Sequence, residues 1–414
     1  IVKDESHIIE KTLIKLLDKI HFDYWVISDT GSSDNTKEII TKFFNSKDIK
    51  GELHDDEWVD FAFNRTKALE YALNKTDYVF IFDADDTIYN NFKTPNLVDD
   101  GYYIKFGNEN GYKYKRMLLV NNRKKWKYKS VIHEFITCCD VMGKTSTIEG
   151  DYYVSSGKNG NRSLQPDKYL KDAMILEKAY INALSEKDDL HTRYAFYCAN
   201  SYYDCNRYND AIKWYKIVLN QNNWSQEKYI SCIKLYECYQ NAKMIEISIF
   251  YLVESIKYDD QRVEGIVKLV CYYLNNGMSN VAYKYYEIVQ KFFETEYKDN
   301  SNIINDKLFI NNEDYRLTLP YYMIIVSDRL KCRYTGIKMY EIIFKKKHKT
   351  YNEFYIGNML HNLQFFIKGY PPEFIVSFQE YIDFLHSINY PLHKHKCLKL
   401  YNEYGLNTSK IFIN

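Results

Sequence analysis

Glycine and proline are scarce in this sequence, which has 15 and 6 of them among 414 residues. Because both residues interrupt regular structure, their scarcity favours long helices and strands over loop-rich folds. The nine cysteines form no CxxC pair, so neither a zinc site nor a disulfide framework is expected. The segment HKHKC contains three residues of types that bind metals, His393, His395 and Cys397, but we interpret it as a solvated basic segment.

The sequence also lacks an excess of charge of one sign and a long apolar run. Its 56 basic and 55 acidic residues give a formal net charge of +1, so no global field directs it to nucleic acid or an anionic membrane. No apolar run approaches the roughly 20 residues of a membrane span, and the start lacks the plan of a signal peptide. We therefore expect a cytoplasmic protein that binds no nucleic acid. A few residues are expected to precede Ile1, because IVKDE reads as part of a strand.

The first part of the chain alternates strand-like and helical patterns. Apolar runs at 24–28 and 78–82 have the length of strands covered on both faces, and the segments 36–44 and 61–73 between them have helical spacing. This order predicts parallel crossovers, in which ligands gather at the carboxyl ends of the strands. Shorter strands and turns at 101–136 predict an antiparallel extension of the sheet.

The second part reads almost entirely as amphipathic helix, so we divide the chain into an α/β domain at 1–165 and an all-α domain at 166–414. Small and aromatic residues recur as in the two-helix tetratricopeptide unit, where small residues allow close packing and aromatics fill the space between helices. An irregular helical bundle is the alternative. The predicted repeat positions are Ala199, Tyr202, Ala211 and Tyr215, then Ile233, Tyr236, Ile245 and Ile249, then Val270, Tyr273, Ala282 and Tyr286, with a fourth unit near Gly336 and Tyr340.

Acidic residues follow both strand-like runs. Asp29 and Asp34 come after the first, where Asp34 is also placed to cap the next helix. Asp83, Asp85 and Asp86 follow the second run, and like charges this close require compensation. On an extended segment Asp83 and Asp85 share a face, and their oxygens suit Mn²⁺ or Mg²⁺, which bridge the oxygens of a diphosphate. An acidic turn without a ligand is the alternative.

The order of these motifs resembles that of a known family. IVKDE is followed by DTGSSDNT, by Trp58 with DFAFNR, by DADD, and by Trp126 with VIHE. In these segments the chain is similar to the family 2 glycosyltransferases. Their GT-A fold is a Rossmann-like α/β domain that binds nucleotide-diphospho-sugars, and the resemblance is strongest to members that carry tetratricopeptide-like (TPR-like) repeats behind that domain.

The resemblance implies metal-assisted, inverting transfer of a sugar from a nucleotide-diphosphate donor, usually a UDP-sugar, to a hydroxyl group of a glycan or protein acceptor. It also implies roles for single residues. Asp29 contacts the nucleotide, Arg65 lies near the base or diphosphate, and Asp83 holds the ribose and shares with Asp85 in binding Mn²⁺ or Mg²⁺. Glu134 is the candidate general base, and His133 orients the acceptor or touches the diphosphate.

One position departs from the family. Relatives commonly have a histidine just before the loop that follows the HE motif, where this chain has Ser155 and Ser156. The ion is then held by Asp85, diphosphate and water alone. Alternatively, Lys158 or Arg162 of the following GKNGNRS loop supplies positive charge to the leaving group.

Two other functions are compatible with the sequence. One is a catalytically inactive scaffold that binds a sugar nucleotide, in which Glu134 is a salt-bridged carboxylate and His133 a structural residue. The other is a nucleotidyltransferase. The absence of a Gly-rich triphosphate loop after the first strand argues against it. Neither GxGxxG nor GxxxxGK[ST] occurs, which argues against Rossmann oxidoreductases and P-loop ATPases. We expect the repeats to recruit the acceptor or a protein partner, or to mediate self-association.

Overall fold

The computed structural model of the chain describes residues 1–107, 114–157, 159–304, 306–347, 353–366 and 372–388. Lys158 and the HKHKC segment lie outside these residues, so the functions predicted for them stay predictions. The chain forms two compact units, Ile1–Asn223 and Trp224–Asn414. The boundary predicted after residue 165 separates the α/β segment from the helical segment and stays a prediction.

The first unit contains an α/β segment followed by helices. Its strands are β1 (Tyr24–Asp29), β2 (Lys50–Asp55), β3 (Tyr78–Phe80), β4 (Thr87–Asn90), β5 (Gly101–Phe106), β6 (Tyr114–Asn121), β7 (Trp126–Lys129), β8 (Phe135–Cys138), β9 (Thr145–Thr147) and β10 (Tyr152–Ser155). Its helices are α1 (Ile9–Leu17), α2 (Thr36–Lys47), α3 (Phe61–Ala72), α4 (Lys168–Glu186), α5 (Leu190–Asp204) and α6 (Tyr208–Asn220). The helices predicted at 36–44 and 61–73 are confirmed, and the second begins where the Asp60 carboxylate accepts a hydrogen bond from the Phe63 amide.

The strands form three sheets in the described residues. β1 and β2 pair in parallel through the crossover of α2; a parallel crossover was predicted, but the strand β2 was not. β3, β6, β5, β10 and β4 form a second, mostly antiparallel sheet, to which β9 adds at β5. Because β5 and β6 pair antiparallel and join β3, the predicted antiparallel extension is confirmed, whereas β7 and β8 form a separate hairpin. The strand predicted at 78–82 is too long, because β3 already ends at Phe80.

Apolar residues pack on both sides of a cavity of about 590 Å³ between β1 and β3. On one side, α1 and α2 pack against β1, and the Trp25 and Phe44 rings stack at 4.3 Å. On the other side, the core includes Ile104 and Phe106 of β5. At the end of the cavity Val2 pairs in parallel with Asp29, so the backbone of Val2 already runs alongside β1.

The second unit is helical in its described residues. Its helices are α7 (Ser225–Asn241), α8 (Ile245–Ile256), α9 (Val263–Asn275), α10 (Ser279–Lys291), α11 (Leu319–Leu330), α12 (Arg333–Lys346), α13 (Glu353–Asn362) and α14 (Pro372–Ser387). In the part of the chain that the structure describes, no helix is both long and apolar enough to cross a membrane.

Four helical hairpins follow a common pattern: α5 with α6, α7 with α8, α9 with α10, and α11 with α12. Each turns at a residue with positive φ, and a buried small residue and a fully buried large residue follow five and nine positions later. In chain order these residues are Asn206, Ala211 and Tyr215; Lys243, Ser248 and Leu252; Gly277, Ala282 and Tyr286; and Lys331, Gly336 and Tyr340.

The register predicted for the second repeat is wrong by three residues. Ser248 and Leu252, not Ile245 and Ile249, occupy the positions of Ala211 and Tyr215, because the extra three residues precede the second turn rather than follow it. The registers of the third and fourth hairpins agree with the prediction. The tetratricopeptide character of these hairpins stays a prediction, since helical hairpins with small interface residues occur in other folds as well.

Candidate active site

The three clustered carboxylates after β3 lie in a turn. The chain leaves the extended conformation at Phe80, and the amide of Asp86 donates to the carbonyl of Asp83 at 3.1 Å. The premise that residues 83–85 are extended is therefore wrong, so the alternation of side chains from which a shared face was predicted does not apply here. Each carboxylate has a different environment, and each is compensated differently.

Asp83 is compensated by two arginines. Its Oδ1 accepts a hydrogen bond from Nη2 of Arg65 on α3 at 2.6 Å, and its Oδ2 lies 3.7 Å from Nη2 of Arg116 on β6. Burial alone would raise the pKa of Asp83, but the charges of Arg65 and Arg116 outweigh it and lower the pKa to about 2. Asp83 is therefore ionised at neutral pH.

Asp85 is held by the backbone of the loop that follows β10. The amide of Gly160 donates to it, and a Cβ at Gly157 would lie only 2.1 Å from the Asp85 carbonyl oxygen, so the loop approaches this closely only with glycine there. Burial and then the charge of Asp83 raise the pKa of Asp85. A bound cation would oppose this shift, because a positive charge favours the ionised carboxylate.

Asp86 is buried, with 1% of its surface exposed. Its Oδ1 accepts a hydrogen bond from the Ser156 hydroxyl at 2.9 Å, and within the described residues its Oδ2 has no hydrogen-bond partner. Burial, followed by the charge of Asp83, raises its pKa to about 7. Ser156, one of the two serines at the position where relatives have histidine, thus contacts the third carboxylate.

Arg65 connects Asp83 to Glu134. Its Nε lies 2.7 Å from Oε1 of Glu134, both side chains are 11% exposed, and its guanidinium lies 5.5 Å from the centre of the Tyr128 ring. The charges of Asp83 and Glu134 raise the pKa of Arg65 despite its burial, so this residue is always charged. Arg65 thus occupies Oε1 of Glu134, so this oxygen can accept a proton from an acceptor only when the pair opens.

His133 precedes Glu134 in the turn between β7 and β8. Its backbone has φ +56°, in the left-handed region, and its ring stacks on Tyr197 with centroids 4.0 Å apart. Partial desolvation, and then the charges of Arg193, Arg162 and Lys168, lower the pKa of His133. The imidazole is therefore neutral at pH 7.

Asp29 lies at the carboxyl end of β1 and is fully buried. Its Oδ1 accepts hydrogen bonds from the amides of Gly31 at 2.9 Å and Ser32 at 2.7 Å, and among the described residues no group donates to its buried Oδ2. Asp34 instead closes the start of α2, where it accepts from the Thr36 amide at 3.0 Å. The N-cap residue of α2 is Asn35, so Asp34 binds the first helical amide from one residue before the predicted cap position.

Arg162 does not face the carboxylates after β3. It forms an ion pair with Asp172 of α4, and its guanidinium stacks over the Phe61 ring at 4.5 Å. The role predicted for Arg162 at the leaving group needs this pair to open. Lys158, the other predicted cation, lies outside the described residues.

The carboxylates fit a divalent cation unequally. Both oxygens of Asp83 face guanidinium groups, and these positive charges disfavour a metal ion beside Asp83. Asp85 fits better, and Glu5, whose pKa is raised by burial, lies near it beside the same loop. In the described part of the chain no three His, Cys, Asp or Glu residues form a ready cage. An ion here would depend on oxygens from a ligand.

Sequence reasoning missed three residues that the structure places at the site: Arg116, Tyr128 and Arg193. Arg116 and Tyr128 lie in strands that the sequence indicates only by alternating apolar and polar residues. This alternation does not show which distant carboxylate a side chain will contact. Arg193 belongs to a helix that was assigned to the repeats.

A comparison with known families covers the segment that contains both Asp29, at the end of β1, and Asp83, after β3. Residues 1–140 match the Glycosyl transferase family 2 model. The match includes Asp29, Arg65, Asp83, Asp85 and Glu134, and it ends before the glycine loop and the helices. No curated protein matches the chain. The N-terminal α/β segment is thus similar to the family 2 glycosyltransferases, and a helical region follows it.

Proposed function

We propose that the N-terminal domain transfers a sugar with inversion from a nucleotide-diphosphate donor, in the first instance a UDP-sugar, to a hydroxyl group of a glycan or protein acceptor. The observation that carries this proposal is the buried Asp29, whose Oδ2 has no partner in the described residues, at the strand end where a nucleotide would bind. The family 2 match over residues 1–140 supports the same class of reaction.

The donor would bind along the carboxyl ends of the strands. Asp29 accepts a hydrogen bond from the base, and Asp83, fixed by Arg65, accepts one from the ribose. Mn²⁺ or Mg²⁺ at Asp85 would neutralise the charge that develops on the leaving diphosphate. The glycine loop closes over Asp85 and keeps water from that side.

The acceptor hydroxyl attacks the anomeric carbon from the side opposite the diphosphate and must lose its proton. Glu134 takes this proton after it separates from Arg65, which then faces Asp83 alone. The neutral imidazole of His133 beside it donates or accepts a hydrogen bond to the acceptor. The helical hairpins recruit the acceptor or a protein partner through their exposed faces.

A scaffold that binds a sugar nucleotide without turnover is the second candidate. It is favoured by one specific observation, the pairing of Glu134 with Arg65, because this pair occupies a carboxylate oxygen that would otherwise face the acceptor. The two functions differ in turnover and agree in nucleotide binding.

The test is incubation of the full chain with UDP-glucose, UDP-galactose and UDP-N-acetylglucosamine and Mn²⁺, with UDP release and UDP binding both measured. We expect release from at least one donor, lowered about 10²-fold or more in Glu134→Gln. Glu149→Gln, at an exposed carboxylate paired with Lys105, is the matched control and should keep full activity. UDP binding without release supports the scaffold, and absence of both overturns the proposal.

A further inference from the structure

The turn between β7 and β8 is held in a conformation that its own residues do not favour. Ser130 has φ +81° and His133 has φ +56°, so two residues without glycine's freedom lie in the left-handed region within one short turn. Such conformations persist only where neighbouring structure holds them in place. Glu134 directly follows this turn, so the position of its carboxylate depends on whatever holds the turn.

Helix α5 supplies these contacts. Nη2 and Nε of Arg193 donate to the carbonyl oxygen of His133 at 2.7 and 3.3 Å. The same guanidinium lies 4.9 Å from the centre of the Phe135 ring and 4.7 Å from that of Tyr197. A charged donor bound twice to one carbonyl and stacked between two rings is fixed in position.

A second residue of the same helix contacts the other end of the turn. Tyr194 is buried, and its hydroxyl forms hydrogen bonds with the backbone of Val131 and the side chain of Ser130. Arg193 and Tyr194 together contact both left-handed residues. The first helical hairpin also lies in the same compact unit as the α/β segment, Ile1–Asn223.

We infer that Arg193 is a positioning residue of the candidate active site: it holds the carbonyl of His133 and so places Glu134 against Arg65. The contacts run without a break from Arg193 through the turn to Glu134, Arg65 and Asp83. The start of the helical region is therefore part of the site and is not a detachable recruiting module. The effect on turnover rests on the proposed function, whereas the effect on the turn does not.

The first readout is amide hydrogen exchange in the segment 130–138. Arg193→Met removes both hydrogen bonds and keeps the apolar stem, so exchange there should become about tenfold faster or more. Arg193→Lys keeps one donor and should restore part of the protection, which also covers the case that the methionine variant folds poorly. Arg207→Met is the matched control, because Arg207 also stacks on a tyrosine of α5 but does not contact the turn. It should leave this segment unchanged.

The second readout is donor hydrolysis by the same variants. Arg193→Met should lower kcat about tenfold and leave KM for the donor within about twofold, because the donor contacts at Asp29 and Asp83 are untouched. Arg193→Lys should recover part of kcat. If the wild-type chain releases no UDP, the proposed function fails and hydrogen exchange alone decides the inference. Unchanged exchange at 130–138 in both Arg193 variants, with the fold intact, would overturn it.

Discussion

Replacing Arg65 by methionine should destabilise the α/β segment far more than the loss of one ordinary ion pair. Methionine keeps an unbranched apolar stem but leaves the carboxylates of Asp83 and Glu134, which are 24% and 11% exposed, without their shared partner. Removing one partner from a buried ion pair typically costs about 3 to 5 kcal/mol, because the remaining charge stays buried without compensation. We expect a loss of this size at pH 7.

The loss of stability in Arg65→Met should depend on pH. The pKa of Asp83 is lowered from 3.8 to about 2, which corresponds to about 2 kcal/mol of stability. A lowered carboxylate pKa stabilises the fold above the pKa of the unfolded chain, and this contribution is lost as pH falls towards 2. The difference between wild type and Arg65→Met should therefore be largest above about pH 5 and smaller by about 1 kcal/mol at pH 3.

Urea unfolding followed by tryptophan fluorescence measures both effects. Arg123→Met is the matched control, because Arg123 pairs with Asp77 at the surface, where the two side chains are 68% and 76% exposed. Exposed pairs contribute about 0 to 1 kcal/mol, so this variant should unfold almost like wild type. Equal losses in the two variants, or a loss in Arg65→Met that does not change between pH 6 and pH 3, would refute the reasoning.

Two further predictions concern buried Asp86 and the cavity beside β1. The pKa of Asp86 is raised to about 7, so its contribution to stability should be lost as pH rises from about 4 to 7 in metal-free buffer. Asp86→Asn should reduce this loss in urea titrations. An unchanged dependence of the unfolding free energy on pH would contradict the raised pKa of Asp86. Four valines added before Ile1 would continue the backbone from Val2 along β1 as far as the register of Tyr24. Burying each valine side chain should stabilise the fold by about 2 kcal/mol, and ordering each residue should cost about 1.5 kcal/mol. Over four residues this predicts a gain in unfolding free energy of about 2 kcal/mol and a higher melting temperature. An extension of Gly-Pro-Gly-Ser should give no gain, and equal melting temperatures would contradict the prediction.

The sequence predicted local structure well where residues close in the chain determine it. Helix α3 was predicted within one residue of its observed end, because its cap at Asp60 and its apolar spacing are both local signals. The register of the second hairpin was missed by three residues. Ile245 and Ile249 are apolar and fit the expected pattern, but burial at Ser248 shows that a small polar residue occupies the close contact.

The sequence singled out candidate residues but not their partners. Asp29 and Asp83 were chosen from their positions after strands, and Glu134 was chosen from the family resemblance; their roles stay predictions. The pairing of Arg65 with Glu134 joins residues from a helix and a distant hairpin turn, and no spacing rule connects them. The burial of Asp86 was also missed. It depends on the residue at which β3 ends, and an apolar run in the sequence does not define the end of a strand.

The constant spacing within each helical hairpin has a practical consequence. The residues that set the inner contacts always follow the turn by five and nine positions, whereas successive turns at Asn206, Lys243 and Gly277 are unevenly separated. The difference lies in helix length, because α7 has 17 residues and α9 has 13, so a helix can lengthen without altering the packed faces. The connector between α8 and α9 should not accept an inserted epitope or fluorescent reporter, because it ends at the buried Arg262, which donates hydrogen bonds to Gln226 and Glu264.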